Sequence, residues 1–239
     1  MTIKNKQFFS KIGRAGVKIR WERFHSKTKI PLSLTKEKAS LHAYLCGDGN
    51  ISIRKERKNK SIHYEIRFFP DNVLMLKNIC NCLFRCYGLR PKNIKKIGSM
   101  YHVRINNKLV CKDFLKMGKY GTYDWSIPRE IIRKFERAWL ACFFDCEAHV
   151  SKRGAIQVKS VNGKGLKSVK GILSGLGIIS ALNGPYSQTT GSNYYVLSIS
   201  AKAALFRYSK EVGFNHSEKI KNLNSILNLR PDGTMAMRK

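Results

Sequence analysis

The sequence predicts an α+β protein built from two copies of one unit. Each copy runs helix, two strands, helix, two strands, helix; it forms an antiparallel sheet and packs on the other through its first helix. Three observations predict this. An apolar helix ending in an acid occurs twice, as Leu41-His42-Ala43-Tyr44-Leu45-Cys46-Gly47-Asp48-Gly49 and as Leu140-Ala141-Cys142-Phe143-Phe144-Asp145-Cys146-Glu147-Ala148, with the acids Asp48 and Glu147 99 positions apart. Each is followed by period-two alternation of polar and apolar residues, the pattern of half-buried strands. The glycines that close the copies, Gly118 and Gly213, stand 70 and 66 residues beyond their acids. Agreement of element order over a whole repeat of this length marks an internal duplication.

In the first copy, Ile51 and Ile53 alternate with Asn50, Ser52 and Arg54. Ile62, Tyr64, Ile66 and Phe68 alternate with Ser61, His63, Glu65 and Arg67. The charged stretch Lys55 to Lys60 is the hairpin loop between them. Pro70-Asp71 is expected to cap a helix with the apolar stripe Val73, Leu76, Ile79, Cys80, Leu83 and Tyr87, ended by a left-handed Gly88. A strand near Met100 to Ile105 and a helix from about Leu109 to Met117 complete the copy. In the second, Ile156 and Val158 alternate with Gln157 and Lys159. A helix bearing Leu166, Val169, Leu173 and Leu176 stops at Gly177, a hairpin turns through Gly184-Pro185 and Gly191 into Tyr194 to Ser200, and a helix spans about Lys202 to Val212.

The organisation that follows is a basic arm over 1–34, a first half over 35–120, a linker and second half over 121–228, and a tail over 229–239. Pro128 suits the first turn of the second motif helix. The arm carries nine basic residues and one acid.

Composition sets the class of partner. Lys and Arg number 46 against 15 acids, a net charge of +31, while 43% of residues are hydrophobic, so the charge accompanies a real core. A globular chain this basic fits a polyanion, and nucleic acid is the natural one, because each neutralised phosphate releases a condensed counterion. No apolar run approaches the ~20 residues that a membrane span requires, which argues against a membrane partner. The seven cysteines form no even disulfide framework and lie mostly in apolar helical stretches. They read as reduced core residues of an intracellular protein, cytoplasmic in a prokaryote or organellar. Cys80, Cys82 and Cys86 lack the Cys-x2-Cys pair of a zinc module.

The two acids are expected to meet. Ala43 and Gly47 lie four apart on one helix face, and Cys142 and Cys146 take the equivalent places in the second copy. Small residues at this spacing let two helix backbones approach closely. The C-terminal ends of the pair, each with unpaired carbonyls and partial negative charge, would then lie together with Asp48 and Glu147. Folding gains nothing from like charges so placed. Hard divalent cations resolve the repulsion, held by the two carboxylates and the carbonyls of Gly47 and Cys146. Such a site suits Mg2+, with Mn2+ or Ca2+ as substitutes for binding, and suits phosphodiester hydrolysis.

At these two motifs the chain resembles the LAGLIDADG homing endonucleases in their single-chain, two-motif form. The resemblance covers residues 34 to 228 by element order; Cys46 stands where many members carry an acid, and Asp145 keeps it. It implies an αββαββα half with a curved four-stranded sheet along the DNA major groove. It also implies the eighth motif position, here Asp48 and Glu147, as the essential acid, and a staggered double-strand cut. A basic or polar residue at a strand end near the metals is a further family feature; Lys159 is its nearest match, with Lys119 and Lys219 as weaker ones. A sheet with one polar, basic face is a groove reader. The expected DNA contacts are Ser52, Arg54, Arg57, His63, Arg67 and Arg104 in the first half, and Ser151, Arg153, Gln157, Lys159, Gln188 and Asn193 in the second. Two unlike halves in one chain imply a monomer on a long asymmetric double-stranded DNA target. The rival is a maturase on the same scaffold, binding intron RNA, to which the two acids would be of no use.

Overall fold

The computed structural model describes residues 28–56, 61–92, 94–151, 154–187 and 191–228. Most of the basic arm, the tail, and the loop positions Arg57, Arg153 and Gln188 lie outside the described residues. The first half comprises α1 (Lys36–Cys46), β1 (Gly49–Lys55), β2 (Ile62–Phe68), α2 (Val73–Tyr87), β3 (Ile94–Ile97), β4 (Met100–Ile105) and α3 (Lys108–Leu115). A short α4 (Arg129–Lys134) leads into the second half: α5 (Glu136–Glu147), β5 (Ala148–Ser151), β6 (Ala155–Ser160), α6 (Gly163–Gly175), β7 (Ala181–Ser187), β8 (Asn193–Ile199) and α7 (Lys202–Glu211). An eighth helix, α8 (Ser217–Leu227), follows. Each half holds one four-stranded antiparallel sheet, in the equivalent orders β1-β2-β4-β3 and β5-β6-β8-β7. The duplication seen in the sequence is therefore a duplication of topology.

Helices α1 and α5 pack against each other at the centre. Each is buried nearly all round, Lys38 to Cys46 in one and Trp139 to Asp145 in the other, because one side meets the partner helix and the rest meets its own half. Polar contacts fix the pair: the Trp139 indole donates to His42 Nδ1 at 3.0 Å, and the Tyr44 hydroxyl donates to Asp145 at 3.5 Å. Burial, with the nearby Lys38 charge, pushes the His42 pKa down to about 3, so the ring is the neutral acceptor this bond needs. Below it, Lys38 pairs with Asp113 at 2.8 Å and Tyr87 donates to the same carboxylate at 2.8 Å, which satisfies both buried charges.

Three local expectations are corrected. The cap of α2 is Asn72, which accepts from Leu74 N at 2.8 Å, not Asp71; an Asn one residue nearer the helix has the shorter reach to that amide. Pro128 starts the separate α4, and Phe135, at φ −138 and ψ 23, breaks the chain before α5 begins. Gly184-Pro185 is not a turn but lies inside β7, at a register shift between Asn183 and Tyr186. Gly184 has φ +120, and a Cβ there would stand 2.8 Å from the Tyr194 carbonyl, so the irregularity accommodates both glycine and a proline that has no N–H to donate. The connection between the halves packs into the core through Trp125 and Ile127, and Trp125 lies where a Cβ on Gly165 would be, 2.5 Å away.

Candidate active site

The two motif helices end side by side. A Cβ placed on Gly47 would lie 2.5 Å from Cys146 Cβ and 3.5 Å from Glu147 Cγ, so the approach requires glycine at the C-cap of α1 and a small side chain opposite. Asp48 and Glu147 leave the two helix ends into one half-buried locality. Burial first, and then the charge of Asp48, push the Glu147 pKa up to about 7. Asp48 is raised as well, by burial and by Asp71, against a hydrogen bond from Cys146 and the pull of Lys219. Glu147 is half-buried, and the Asp48 charge disfavours its ionisation; carboxylate oxygens of this kind are the donors a hard divalent ion takes. Among the described residues no cluster of three or more His, Cys, Asp or Glu side chains stands at a metal-binding geometry.

The α5 end carries a fixed positive charge. Lys219 Nζ donates to the carbonyls of Phe144 at 3.2 Å and Cys146 at 3.4 Å, and most closely to that of Asp145. This neutralises the negative end of the helix dipole. Burial lowers the Lys219 pKa, while the surrounding Cys146, Asp145, Asp71 and Asp48 hold the proton on. The lysine gets there through Asp145, which accepts from Asn215 N and Asn215 Nδ2, each at 2.8 Å, and from His216 N at 3.0 Å. That loop enters α8, whose N-terminus is tied to the first half: Asn72 donates to Ser217 Oγ at 2.9 Å, and His216 Nε2 lies 3.3 Å from Asp71. In the first half Cys46 occupies the place of Asp145. Its sulfur lies 3.5 Å from His42 Nδ1, and Lys119 is turned outward to Asp124 at 3.2 Å, its side chain 78% exposed. The two halves of the site are thus unequal.

Of the expected site residues, Asp48, Glu147, Gly47 and Cys146 are brought together. Lys159 projects from β6 into a cleft of about 320 Å³ lined also by Gly47, Tyr120, Trp125, Glu147 and Tyr194. Its ammonium lies 3.8 Å from the centre of the Tyr194 ring, which itself meets Tyr186 at 5.3 Å. Cross-strand register puts Ser52, Arg54, His63, Arg67 and Arg104 on one face of the first sheet, opposite the buried Ile66, Phe68 and Val103. In the second sheet Ser151, Gln157 and Lys159 share the face opposite Val150, Ile156 and Val158. Asn193 falls at the start of β8 on the parity of Tyr195 and Leu197, paired with Ser187. Sequence reasoning passed over Glu65, which accepts from Arg67 Nε and Nη2, each at 2.8 Å, and lies 2.5 Å from Arg104 Nε. An acid on a basic polar face was the available signal.

Fold and site together define a two-motif protein with paired acids at the ends of its central helices. Residues 134–213 match the family model of the LAGLIDADG-like domain. The structure is similar to that of the homing endonuclease I-DmoI, solved in complex with DNA and Mn, at 18% identity and a TM-score of 0.58, covering 74% of this chain and 96% of that one. It is also similar to the homing endonuclease I-WcaI bound to its DNA recognition sequence, at 13% identity and a TM-score of 0.53, covering 86% and 91%. The replication factor C small subunits of Thermococcus kodakarensis and Methanocaldococcus jannaschii are 33% and 28% identical over 84 and 128 residues, 35% and 52% of this chain. The chain spans only 9% and 7% of those two proteins. The second half thus matches a LAGLIDADG-like domain, and the fold of the chain is similar to that of these two homing endonucleases.

Proposed function

We propose that the protein is a site-specific endodeoxyribonuclease that cuts both strands of a long, asymmetric double-stranded DNA target in a divalent-metal-dependent reaction with staggered ends. The observation that carries the reading is the convergence of one carboxylate from each half, Asp48 and Glu147, at adjoining helix ends between two sheets with polar faces. I-DmoI and I-WcaI, which share the fold, are described as bound to DNA, the former with Mn.

Asp48 and Glu147 would hold the cation, with the carbonyls of Gly47 and Cys146 as neutral donors; Mg2+ is the proposed metal. A divalent cation bound there supplies Lewis-acid stabilisation of charge on the phosphodiester. The residues of the chain supply the rest. The central helices fix the carboxylates relative to each other, so no reorganisation is needed when DNA arrives. Lys219 offsets the helix-end charge that would repel a phosphate. Lys159, held over Tyr194 in the cleft that Glu147 also lines, presents a cation where negative charge develops on one strand.

The test is cleavage selection on a randomised plasmid library with Mg2+, run beside Asp48→Asn and Glu147→Gln. The reading expects the wild type to cut one long asymmetric site with staggered ends, and both variants to bind that site without cutting it. A wild type that cuts nothing yet binds structured intron RNA tightly would make the scaffold a maturase.

A further inference from the structure

We infer that Arg67 and Arg104, clamped by Glu65, form a preset guanine-reading pair on the first sheet, so that the half of the target beneath this sheet is fixed by two G·C pairs, one for each arginine. The inference rests on the endonuclease reading and sharpens its substrate.

The two arginines are cross-strand neighbours in β2 and β4, on the face away from the core. Glu65 precedes Arg67 on the same face by one strand repeat. Its carboxylate takes the Nε and Nη2 edge of Arg67 in a bidentate pair and also binds Arg104 Nε. A guanidinium held by that edge has its remaining N–H groups pointing away from the carboxylate, in a fork that matches O6 and N7 of guanine. Two fixed forks on adjacent strands stand about one strand spacing apart, ~4.8 Å, so they reach different bases.

Burial argues against a merely solvated ion pair. The Glu65 side chain is 13% exposed, whereas Arg67 is 28% and Arg104 52% exposed, so the acid is the base of the cluster and the arginines are its tips. A carboxylate on a DNA-facing surface costs phosphate affinity, which a nonspecific binder would have no reason to accept. It gains rigidity: the forks lose less rotamer entropy on meeting a base. Ser52, directly across from Glu65 in β1, has a buried hydroxyl with no hydrogen-bond partner among the described residues, so it does not compete for the carboxylate. The second sheet is built differently, with the Lys159–Tyr194–Tyr186 stack and Gln157 on its face. The guanine pair is accordingly expected in one arm of the target only.

The experiment is affinity selection of the full chain on a randomised DNA duplex library, for the wild type, Arg67→Lys, Arg104→Lys and Glu65→Gln, with thermal unfolding to show that each variant is folded. The expected result is a site with two strongly preferred G·C pairs in one arm. Arg67→Lys should relax one of them and Arg104→Lys the other, each by roughly ten-fold or more. Glu65→Gln should relax both together and leave the other arm unchanged. Arginine variants that weaken binding equally on every sequence would make these phosphate contacts and overturn the inference while leaving the endonuclease reading intact. A wild type that enriches no sequence would overturn both.

Discussion

The Asp145 carboxylate accepts hydrogen bonds from the backbone N–H groups of both Asn215 and His216, and this contact sets Lys219 against the end of the helix that Asp145 itself belongs to. Removing the carboxylate strands four donors, Asn215 N and Nδ2, His216 N and the Tyr44 hydroxyl. Asp145→Ala is expected to lower stability by about 2–4 kcal/mol, since hydrogen bonds to a charged group contribute most of all. Hydrogen exchange should report the loss as new opening of residues 213–219. Unchanged protection there would mean that α8 is held by its contacts with the first half alone.

Lys219 should matter to cleavage more than to folding. Lys219→Met keeps the stem and removes the charge that meets the Phe144, Asp145 and Cys146 carbonyls. Single-turnover cleavage is expected to fall by about 10²-fold, in the range of a lost electrostatic contact at a reacting phosphate, with DNA affinity nearly unchanged. Lys119→Met, at the outward-turned position in the first half, is expected to change cleavage by less than about two-fold. Equal losses in the two variants would refute the inequality of the two sides.

The repeat, the motif helices and the meeting of Asp48 with Glu147 were legible in the sequence because each rests on local spacing: period two, small residues four apart, and acids after apolar helices. The Gly47–Cys146 contact follows from the same rule. Lys219 was visible only as a lysine beyond the last helix, because its position depends on Asp145, 74 residues earlier, and on α8, a helix that has no counterpart in the repeat. The Glu65 clamp was hidden for another reason. On one strand Glu65 and Arg67 look like two solvated charges, and only the register of β2 with β4 brings Arg104 to them. Contacts that follow from spacing within the repeated motifs are readable; those that depend on cross-strand register or on a helix outside the repeat are not.

Gly47→Ala tests the helix approach. Its Cβ would meet Cys146 Cβ at 2.5 Å, a contact with an atom next to the backbone that cannot swing aside. The helices must separate by several tenths of an ångström, at a cost of about 1–3 kcal/mol. Cleavage should fall by about 10²-fold or more because the carboxylates move with the helices. The combination Gly47→Ala with Cys146→Gly is expected to recover stability, since it restores one small residue at the crossing. A thermal shift and a cleavage rate for the single and double variants would check both, and a double variant no better than the single one would mean that the clash is not with Cys146.

The raised Glu147 pKa gives the metal-free protein a pH dependence with a definite sign. A carboxyl group at about 7 in the folded chain against ~4.3 unfolded binds more protons folded than unfolded between those values. Stability therefore falls as pH rises through that window, and the group's favourable contribution is lost above about 7. Wild type in EDTA is expected to lose about 1–3 kcal/mol from pH 5 to pH 8 by this group, a decline that Glu147→Gln should largely remove. Added Mg2+ should restore stability mainly at pH 8, where the carboxylate is ionised and free to bind it. Unfolding curves in urea at the two pH values, with and without Mg2+, measure all of these. A Glu147→Gln protein as pH-sensitive as the wild type would show that Glu147 is not the titrating group.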